Sequence, residues 1–203
     1  QFLYVAGQTG IFSFFINSVV EPSPAMTLGL ASLLPSTWTF STGSFYQITE
    51  RGASQILAFG GFGLFMIGRL TGGMLLSKIK TQVVLSTFAL INSVLMVIII
   101  YSDGYLATIS LVLSFYFMSI MFPAIFSLGI AGLGGQTKKA SSIIVMSIVG
   151  GAVMPILMGA IADHYDMATG FIMPLICFAF ILFYALAWTK LYRGQNSEIA
   201  PSY

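Results

Sequence analysis

Six apolar stretches, each about as long as the hydrocarbon core of a bilayer is thick, recur along this chain of 203 residues. A helix needs about 20 mostly apolar residues to cross that core, whereas membrane-barrel strands are about 10 residues long and alternate in polarity. The stretches are too long and too evenly apolar for such strands. We therefore predict an all-α integral membrane protein with six transmembrane helices, at residues 2–20, 53–76, 82–101, 105–127, 140–161 and 170–189.

The scarcity of charge leads to the same conclusion. Only 7% of the residues are charged and 57% are hydrophobic, whereas a soluble domain has about 25% charged residues. Such a chain cannot cover a globule with polar side chains, so we expect the lipid bilayer to be its solvent. The formal net charge of +2 gives no indication of a nucleic-acid partner. Cys177 is the only cysteine, and it lies in an apolar run as a small hydrophobic side chain.

Charged residues fall unequally on the two ends of the predicted helices. If the helices alternate in direction, the Lys and Arg side chains near helix ends lie on one face of the membrane, with Arg51 alone on the acidic face. Short positively charged loops remain in the cytoplasm. We therefore expect both ends of the chain, including a tail at 190–203, to be cytoplasmic, together with the loops at 77–81 and 128–139. The cytoplasmic set is Lys78, Lys80, Lys138, Lys139, Lys190 and Arg193.

The connection between the first two spans, residues 21–52, is expected to be an extracytoplasmic loop. It is rich in Pro, Ser, Thr and Gly, and we expect short interfacial helices in it, with Trp38 at the headgroup level. The second and fifth spans also resemble each other. Both open on Ala-Ser, at Ala53 and Ala140, and both carry a Gly-Gly pair, at 60–61 and 150–151. This pattern fits two three-helix units of inverted topology, as in secondary transporters.

Uncharged polar residues mark one side of the first span. Tyr4, Gln8 and Phe12 are four residues apart, so they share a helix face, and we expect Asn17 to lie close to it. Amides are costly in lipid unless they are paired. Two interpretations stay open. These groups either hydrogen-bond a neighbouring helix or line a polar cavity, where amides bind hydroxyl groups and aromatic rings form flat walls, as a sugar requires.

Tyr116, Ser119 and Phe122 recur on one side of the fourth span, and Pro123 follows them. Proline removes a backbone hydrogen bond and bends a helix, so we expect a kink there.

The second span ends in GRLTGGMLLSKIK, at residues 68–80. One interpretation is a packing and anchoring motif, in which small residues allow close helix approach and Arg69 reaches toward the interface. The other is a cytoplasmic gate, in which Arg69, Lys78 and Lys80 pair with acids elsewhere. Lys138 and Lys139 are expected to be topology anchors on the loop 128–139.

Groups able to carry enzyme chemistry are scarce. No predicted span contains His, Asp or Glu, and the single histidine, His164, lies near Asp163 and Asp166 in what we expect to be a solvated turn. We therefore predict no catalytic site, no metal and no cofactor. Proton-driven transport needs a titratable group within the membrane. If this protein is proton-coupled, that group lies on a part of the polypeptide outside this chain.

Four segments carry the most distinctive sequence. They are QFLYVAGQTGIFSFFIN at 1–17, MIGRLTGG at 66–73, the run 114–163 that includes FPAIFSLGIAGLGGQTKKASS, and GFIMPLICFAFILFYAL at 170–186. Together they resemble the C-terminal half of the fucose/galactose/glucose:proton symporters of the major facilitator superfamily. The resemblance covers nearly the whole chain, is most specific over 119–151, and is weakest over 27–52.

This resemblance implies twelve helices in two six-helix bundles, with a monosaccharide carried together with a proton between them by alternating access. This chain would be the second bundle, with an N-terminal six-helix half as its partner. The family's proton-coupling acids lie in that other half, which agrees with their absence here. The sugar-binding residues we expect on this chain are Gln8 and Asn17 for the hydroxyl groups, with Tyr4, Phe12, Tyr116 and Phe122 as cavity walls.

The sequence departs from the family pattern at two places. Phe122 stands before the proline where some relatives have tyrosine, which bears on sugar preference. The segment that matches the conserved loop between spans eight and nine lacks its usual Asp, so a charge relay there is not expected.

A hypothesis of another class is a complete six-span protein that serves as an interaction or assembly module without transport. Gln1 begins directly before a span without an initiator Met, and we expect the chain to be part of a longer protein. An antibody against the tail should therefore detect, in native membranes, a band near twice the 21.9 kDa of this chain. A band at the mass of this chain alone would indicate either a split transporter with a separate partner or a six-span protein of another kind.

Overall fold

Six helices, each long and apolar enough to cross a membrane, make up most of the computed structural model. It describes residues 1–21, 35–42, 45–102 and 104–199, of which 189–199 are described as backbone only. A 3-10 turn at Thr169–Phe171 leads into the last helix. The helices are α1 (Phe2–Val20), α2 (Glu50–Leu76), α3 (Thr81–Tyr101), α4 (Tyr105–Ile130), α5 (Gly134–His164) and α6 (Ile172–Ile199).

Helix α2 begins at Glu50, three residues before the predicted span. The reason is a cap, because the Thr49 hydroxyl oxygen accepts a hydrogen bond of 3.0 Å from the backbone N–H of Gly52. Such a bond satisfies a donor that the helix itself cannot pair.

Helix α5 begins at Gly134 rather than at residue 140, because a 3-10 turn at Gly134–Gln136 runs directly into it. The preceding bend uses glycine at a positive φ of 77° at Gly132, a conformation that other residues rarely adopt. As a consequence, Lys138 and Lys139 lie in the first turns of α5. The prediction that they lie in the loop 128–139 is therefore wrong.

The connection between α1 and α2 contains a β-hairpin. Strands β1 (Thr39–Thr42) and β2 (Phe45–Ile48) pair in antiparallel fashion, with Thr39 opposite Ile48. The short interfacial helices expected in the loop are not found at residues 35–42 and 45–49, and the rest of that prediction falls on residues 22–34, 43 and 44, outside the described part. The hairpin is fastened to α2 because the backbone N–H of Thr49 donates to the Trp38 carbonyl over 2.8 Å.

Burial divides the helices into two groups. In the apolar windows of α1 and α4, 50% and 56% of the residues are buried, whereas in α2 and α5 only 17% are. Helices α3 and α6 pack along each other, and α3 also packs on α4. Helices α2 and α5 therefore leave broad apolar surfaces outside this bundle, where Phe59, Met146 and Ile156 are among the most exposed side chains.

Helices α2 and α5 also depart from α-helical geometry near their Gly-Gly pairs. In α2 a π-helical turn covers Ile56–Gly61, and in α5 a 3-10 turn at Ser147–Val149 directly precedes Gly150. These are the two glycine pairs whose repetition suggested an internal repeat. Both irregular turns lie in α2 and α5, the two helices with the smallest buried fraction of residues.

Helix α4 is interrupted near its middle. It is α-helical over Tyr105–Met118 and again over Met121–Ile130, with a turn at residues 119 and 120 between them. The cause is Pro123, whose ring collides with the carbonyl four residues before it and which has no N–H to donate. The helix is thus interrupted where the sequence predicted a kink, and the interruption at residues 119 and 120 is called the bend of α4 below.

Glycines bring α2 close to this interruption. A Cβ atom on Gly68 would lie 2.5 Å from the Tyr116 carbonyl oxygen and 2.5 Å from the Ser119 hydroxyl oxygen. One turn further, a Cβ atom on Gly72 would lie 2.9 Å from Cβ of Ile120. Gly73 has nothing within 4 Å of such a position, so only one side of α2 is in close contact.

We expect Gly68→Ala to destabilise the protein by about 1–3 kcal/mol, because the added methyl group meets backbone that has to move. The matched control is Gly73→Ala, which should be neutral or stabilising by up to about 1 kcal/mol, since alanine favours a helix and the space is open. Thermal unfolding of both variants in detergent checks this expectation. Equal unfolding midpoints for the two variants would contradict the close α2–α4 contact.

Candidate functional site

The predicted polar face of α1 is present as a row of side chains. Helix α1 is regular over Phe2–Val20, so Tyr4, Gln8 and Phe12 follow one another along one side of it. Burial changes along the row. Tyr4 is fully buried, whereas Gln8 and Phe12 are only partly buried. Gln8 thus offers a carboxamide at the edge of the bundle between two aromatic rings of its own helix.

Tyr4 is held at both ends of its side chain. Its hydroxyl donates a hydrogen bond of 2.7 Å to the carbonyl oxygen of Met118, the last residue before the interruption of α4. Its ring meets Phe122 edge to face, with 6.2 Å between the ring centroids. Tyr4 and Phe122, both predicted as cavity walls, are therefore in contact, and the Tyr4 hydroxyl already has a partner within the protein.

Phe12 belongs to an aromatic cluster that joins α1, α2 and α4. It stacks on Phe115 at a centroid distance of 4.7 Å with the planes 12° apart. Phe62 and Phe65 of α2 approach it edge-on, at 5.5 and 6.2 Å. Aromatic pairs in these geometries are stabilised beyond the area they bury. The ring of Phe12 is thus fixed in place while part of it stays exposed.

Tyr116 faces a different neighbour. Its hydroxyl lies 3.0 Å from the hydroxyl of Thr71 on α2. Its ring packs against Phe117 and Phe88, at 5.1 and 6.3 Å. The structure therefore groups Tyr116 with α2 and α3, apart from the contact between Tyr4 and Phe122. The pairing with Thr71 was not predicted, because it joins two residues that are distant in sequence.

The structure does not bring Asn17 to the face of Gln8. Nine residues separate the two, about two and a half helical turns, so their side chains leave opposite sides of α1. The expectation that Asn17 lies close to that face is therefore wrong. Asn17 is exposed near the end of the helix, where it lines a small cavity with Glu21 and Glu50.

Arg69 reaches the interruption of α4 from α2. Its Nη1 donates a hydrogen bond of 3.1 Å to the carbonyl oxygen of Ser119. The sequence presented Arg69 as an anchor or as the partner of an acid, and gave no indication of a carbonyl group as its partner. Arg69 is itself an exposed residue. The other basic residues predicted for the gate and the anchors are also exposed and lie near helix ends, namely Lys78, Lys80, Lys138 and Lys139.

A buried amide lies on the other side of α4. Asn92 of α3 is completely buried, and its Nδ2 approaches the sulfur of Met121 at 3.5 Å. Among the described residues its Oδ1 has no hydrogen-bond partner. The second segment of α4 thus begins against a polar side chain that the sequence analysis did not place in the site.

No protein-family model matches the sequence. The chain is 37% identical over 186 residues to the L-fucose-proton symporter of Escherichia coli strain K12, and the alignment covers 91% of this chain and 37% of that protein. It is 32% identical over 189 residues to a glucose/galactose transporter of Brucella abortus biovar 1, in an alignment that covers 93% of this chain and 40% of that protein. It is 34% identical over 199 residues to a putative glucose/galactose transporter of Helicobacter pylori, in an alignment that covers 96% of this chain and 45% of that protein.

The fold has a relative among solved structures. It matches the crystal structure of the major facilitator superfamily transporter FucP in the outward conformation, with a TM-score of 0.79 and 36% identity. That match covers 93% of this chain and 40% of the other. The chain thus spans about 40% of the length of the relatives it matches.

Sequence and fold agree on the class of protein. The prediction of an all-α membrane protein with six spans and a major facilitator fold is confirmed by the six apolar helices and the match to FucP. The chain is a multi-pass membrane protein, and its relatives are transporters rather than enzymes. It is a homologue of the L-fucose-proton symporters and the glucose/galactose transporters, and it belongs with them to the major facilitator superfamily.

Proposed function

We propose that this chain supplies the C-terminal half of a secondary transporter that carries a monosaccharide of the fucose, glucose or galactose class together with a proton. The observation that carries the proposal is the 37% identity to an L-fucose-proton symporter over 91% of the chain. The geometry supports it, because a partly buried carboxamide next to fixed aromatic rings suits the hydroxyl groups and apolar faces of a sugar.

The surface of the bundle supports a second half. Helices α2 and α5 are the least buried, and they expose large apolar side chains such as Phe59 and Met146. The relatives are more than twice as long as this chain. We propose that an N-terminal six-helix bundle packs against these two helices and encloses the sugar between the halves. Alternating access then consists of rocking one bundle against the other.

Within this chain, the sugar site centres on Gln8. The carboxamide has both a donor and an acceptor for sugar hydroxyls, and Phe12, held by its stack on Phe115, forms a rigid wall beside it. Phe122 extends the wall toward the interruption of α4, and the fully buried ring of Tyr4 supports Phe122 from behind. Tyr116 lines the side toward α2. Asn17 lies on the opposite side of α1, outside this group, and binds sugar only if the other half approaches that side.

The proton is carried by residues outside this chain. Carboxylates and histidines within the membrane mark proton relays, and the six predicted spans contain neither. This division of labour fits a transporter in which one half binds the sugar with neutral groups and the other half changes charge.

We place the protein in a bacterial inner membrane, with both ends of this chain cytoplasmic. The support is the excess of Lys on one face, where Lys78, Lys80, Lys138 and Lys139 are exposed near the ends of α2 and α5. These lysines then act as topology anchors, and those after α2 are available to a cytoplasmic gate.

We expect Gln8→Ala in the full-length transporter to weaken binding of the transported sugar about tenfold, since an unpaired sugar hydroxyl costs about 1.4 kcal/mol. The measurement is uptake and equilibrium binding of radiolabelled L-fucose, D-glucose and D-galactose in proteoliposomes. Ser13→Ala, an exposed position on the far side of α1, is the control. Unchanged binding with intact expression would remove Gln8 from the site.

Tyr4→Phe separates the ring of Tyr4 from its hydroxyl. Because that hydroxyl is bonded to the Met118 carbonyl, we expect the variant to keep its sugar affinity but to lose about 1–3 kcal/mol of stability. Tyr101→Phe is the control, since Tyr101 is 84% exposed. The two measurements are sugar binding and thermal unfolding in detergent. A loss of affinity without a loss of stability would mean that the hydroxyl contacts the sugar.

A further inference from the structure

The interruption of α4 leaves a specific backbone group without its usual partner. In a continuous helix the N–H of residue 123 would donate to the carbonyl of residue 119, but residue 123 is proline. The carbonyl oxygen of Ser119 is thus available in the middle of a membrane-spanning segment. Ser119 is completely buried in the bundle, so a donor within the protein has to take up this group.

Arg69 supplies that donor. Its Nη1 lies 3.1 Å from the Ser119 carbonyl oxygen, although the two residues belong to different helices. The carbonyl just before it, that of Met118, accepts the hydroxyl of Tyr4 at 2.7 Å. Two adjacent carbonyls at the bend are therefore capped by side chains from two other helices, α2 and α1.

The approach of Arg69 depends on its neighbours in α2. Gly68 and Gly72 have no side chains, and a Cβ on either would collide with Tyr116, Ser119 or Ile120 at the bend. Thr71 binds the Tyr116 hydroxyl at 3.0 Å on the same side. The segment 68–72 thus fits the bend of α4 through its backbone, a guanidinium group and a hydroxyl group together.

We propose that Arg69 is a positioning residue that replaces the hydrogen bond removed by Pro123 and thereby fixes the bend of α4 against α2. Its positive charge is secondary to its ability to donate to a backbone carbonyl. The bend sets the direction of the segment Met121–Ile130, which carries Phe122. The consequence for sugar affinity rests on the proposed function, whereas the fixing of the bend does not.

The decisive experiment is a double-mutant cycle in the full-length protein with Arg69→Met, Pro123→Ala and both together. Alanine at 123 restores an N–H that can donate to Ser119. We expect Arg69→Met alone to lower the unfolding midpoint in detergent by roughly 5 °C, and to have little effect when Pro123→Ala is present. Arg51→Met is the matched control, an exposed arginine at the other end of α2.

A distance measurement reports the bend itself. Spin labels at Met74→Cys on α2 and Ser127→Cys on the second segment of α4, both exposed, are introduced with Cys177→Ser. We expect Arg69→Met to shift or broaden the distance distribution with proline at 123 and to leave it unchanged with alanine. This readout does not require a sugar, so it tests the inference even if no sugar is transported.

Each outcome decides. Equal effects of Arg69→Met in the two backgrounds, on the midpoint or on the distance, would overturn the inference and indicate a charge partner instead. If the Arg69→Met protein does not accumulate in the membrane, the double variant with Pro123→Ala is decisive. Accumulation of the folded double variant supports the inference, and its failure to accumulate overturns the inference. Both proposals are supported if Gln8→Ala abolishes sugar uptake and Arg69→Met loses its effect in the presence of Pro123→Ala. Both are overturned if Gln8→Ala leaves uptake intact and Arg69→Met has the same effect with proline and with alanine at 123.

Discussion

A carbonyl group that loses its helix partner in hydrocarbon must find another donor within the protein, and α4 contains such a group at Ser119. The proline that creates it also bends the most buried helix of the bundle. Arg69 from α2 and Tyr4 from α1 then become more than packing residues, because they complete the backbone hydrogen bonding of a third helix. The arrangement of α1, α2 and α4 depends on this local requirement.

The aromatic cluster follows from the same arrangement. With α1, α2 and α4 held together at the bend, Phe12, Phe62 and Phe115 meet one to two helical turns away, with centroid distances between 4.7 and 5.9 Å. A wall of this kind has little freedom to adapt, so in the proposed site the polar groups at its edge would have to recognise the sugar. Gln8 lies at that edge on α1.

Much of the fold could be predicted from the sequence, because length and hydropathy determine a helix that spans a membrane. The row of Tyr4, Gln8 and Phe12 could be predicted for a similar reason, since it needs only the period of one regular helix. The hairpin at 39–48 could not, because its strands are four residues each and carry no long alternating pattern. The role of Arg69 could not either, since its partner is a backbone atom 50 residues away and any residue type supplies a carbonyl.

The π-helical turn at Ile56–Gly61 has a consequence for the geometry of α2 as a whole. Such a turn accommodates one residue more than an α-helical turn, so the side chains after it are rotated by roughly 100° from where a continuous α-helix would put them. A helical wheel drawn from Glu50 therefore misplaces Gly68 and Arg69 by roughly a quarter of a turn. Helix α2 consists of two differently phased halves, one fastened to the hairpin through Thr49 and Trp38, the other to the bend of α4.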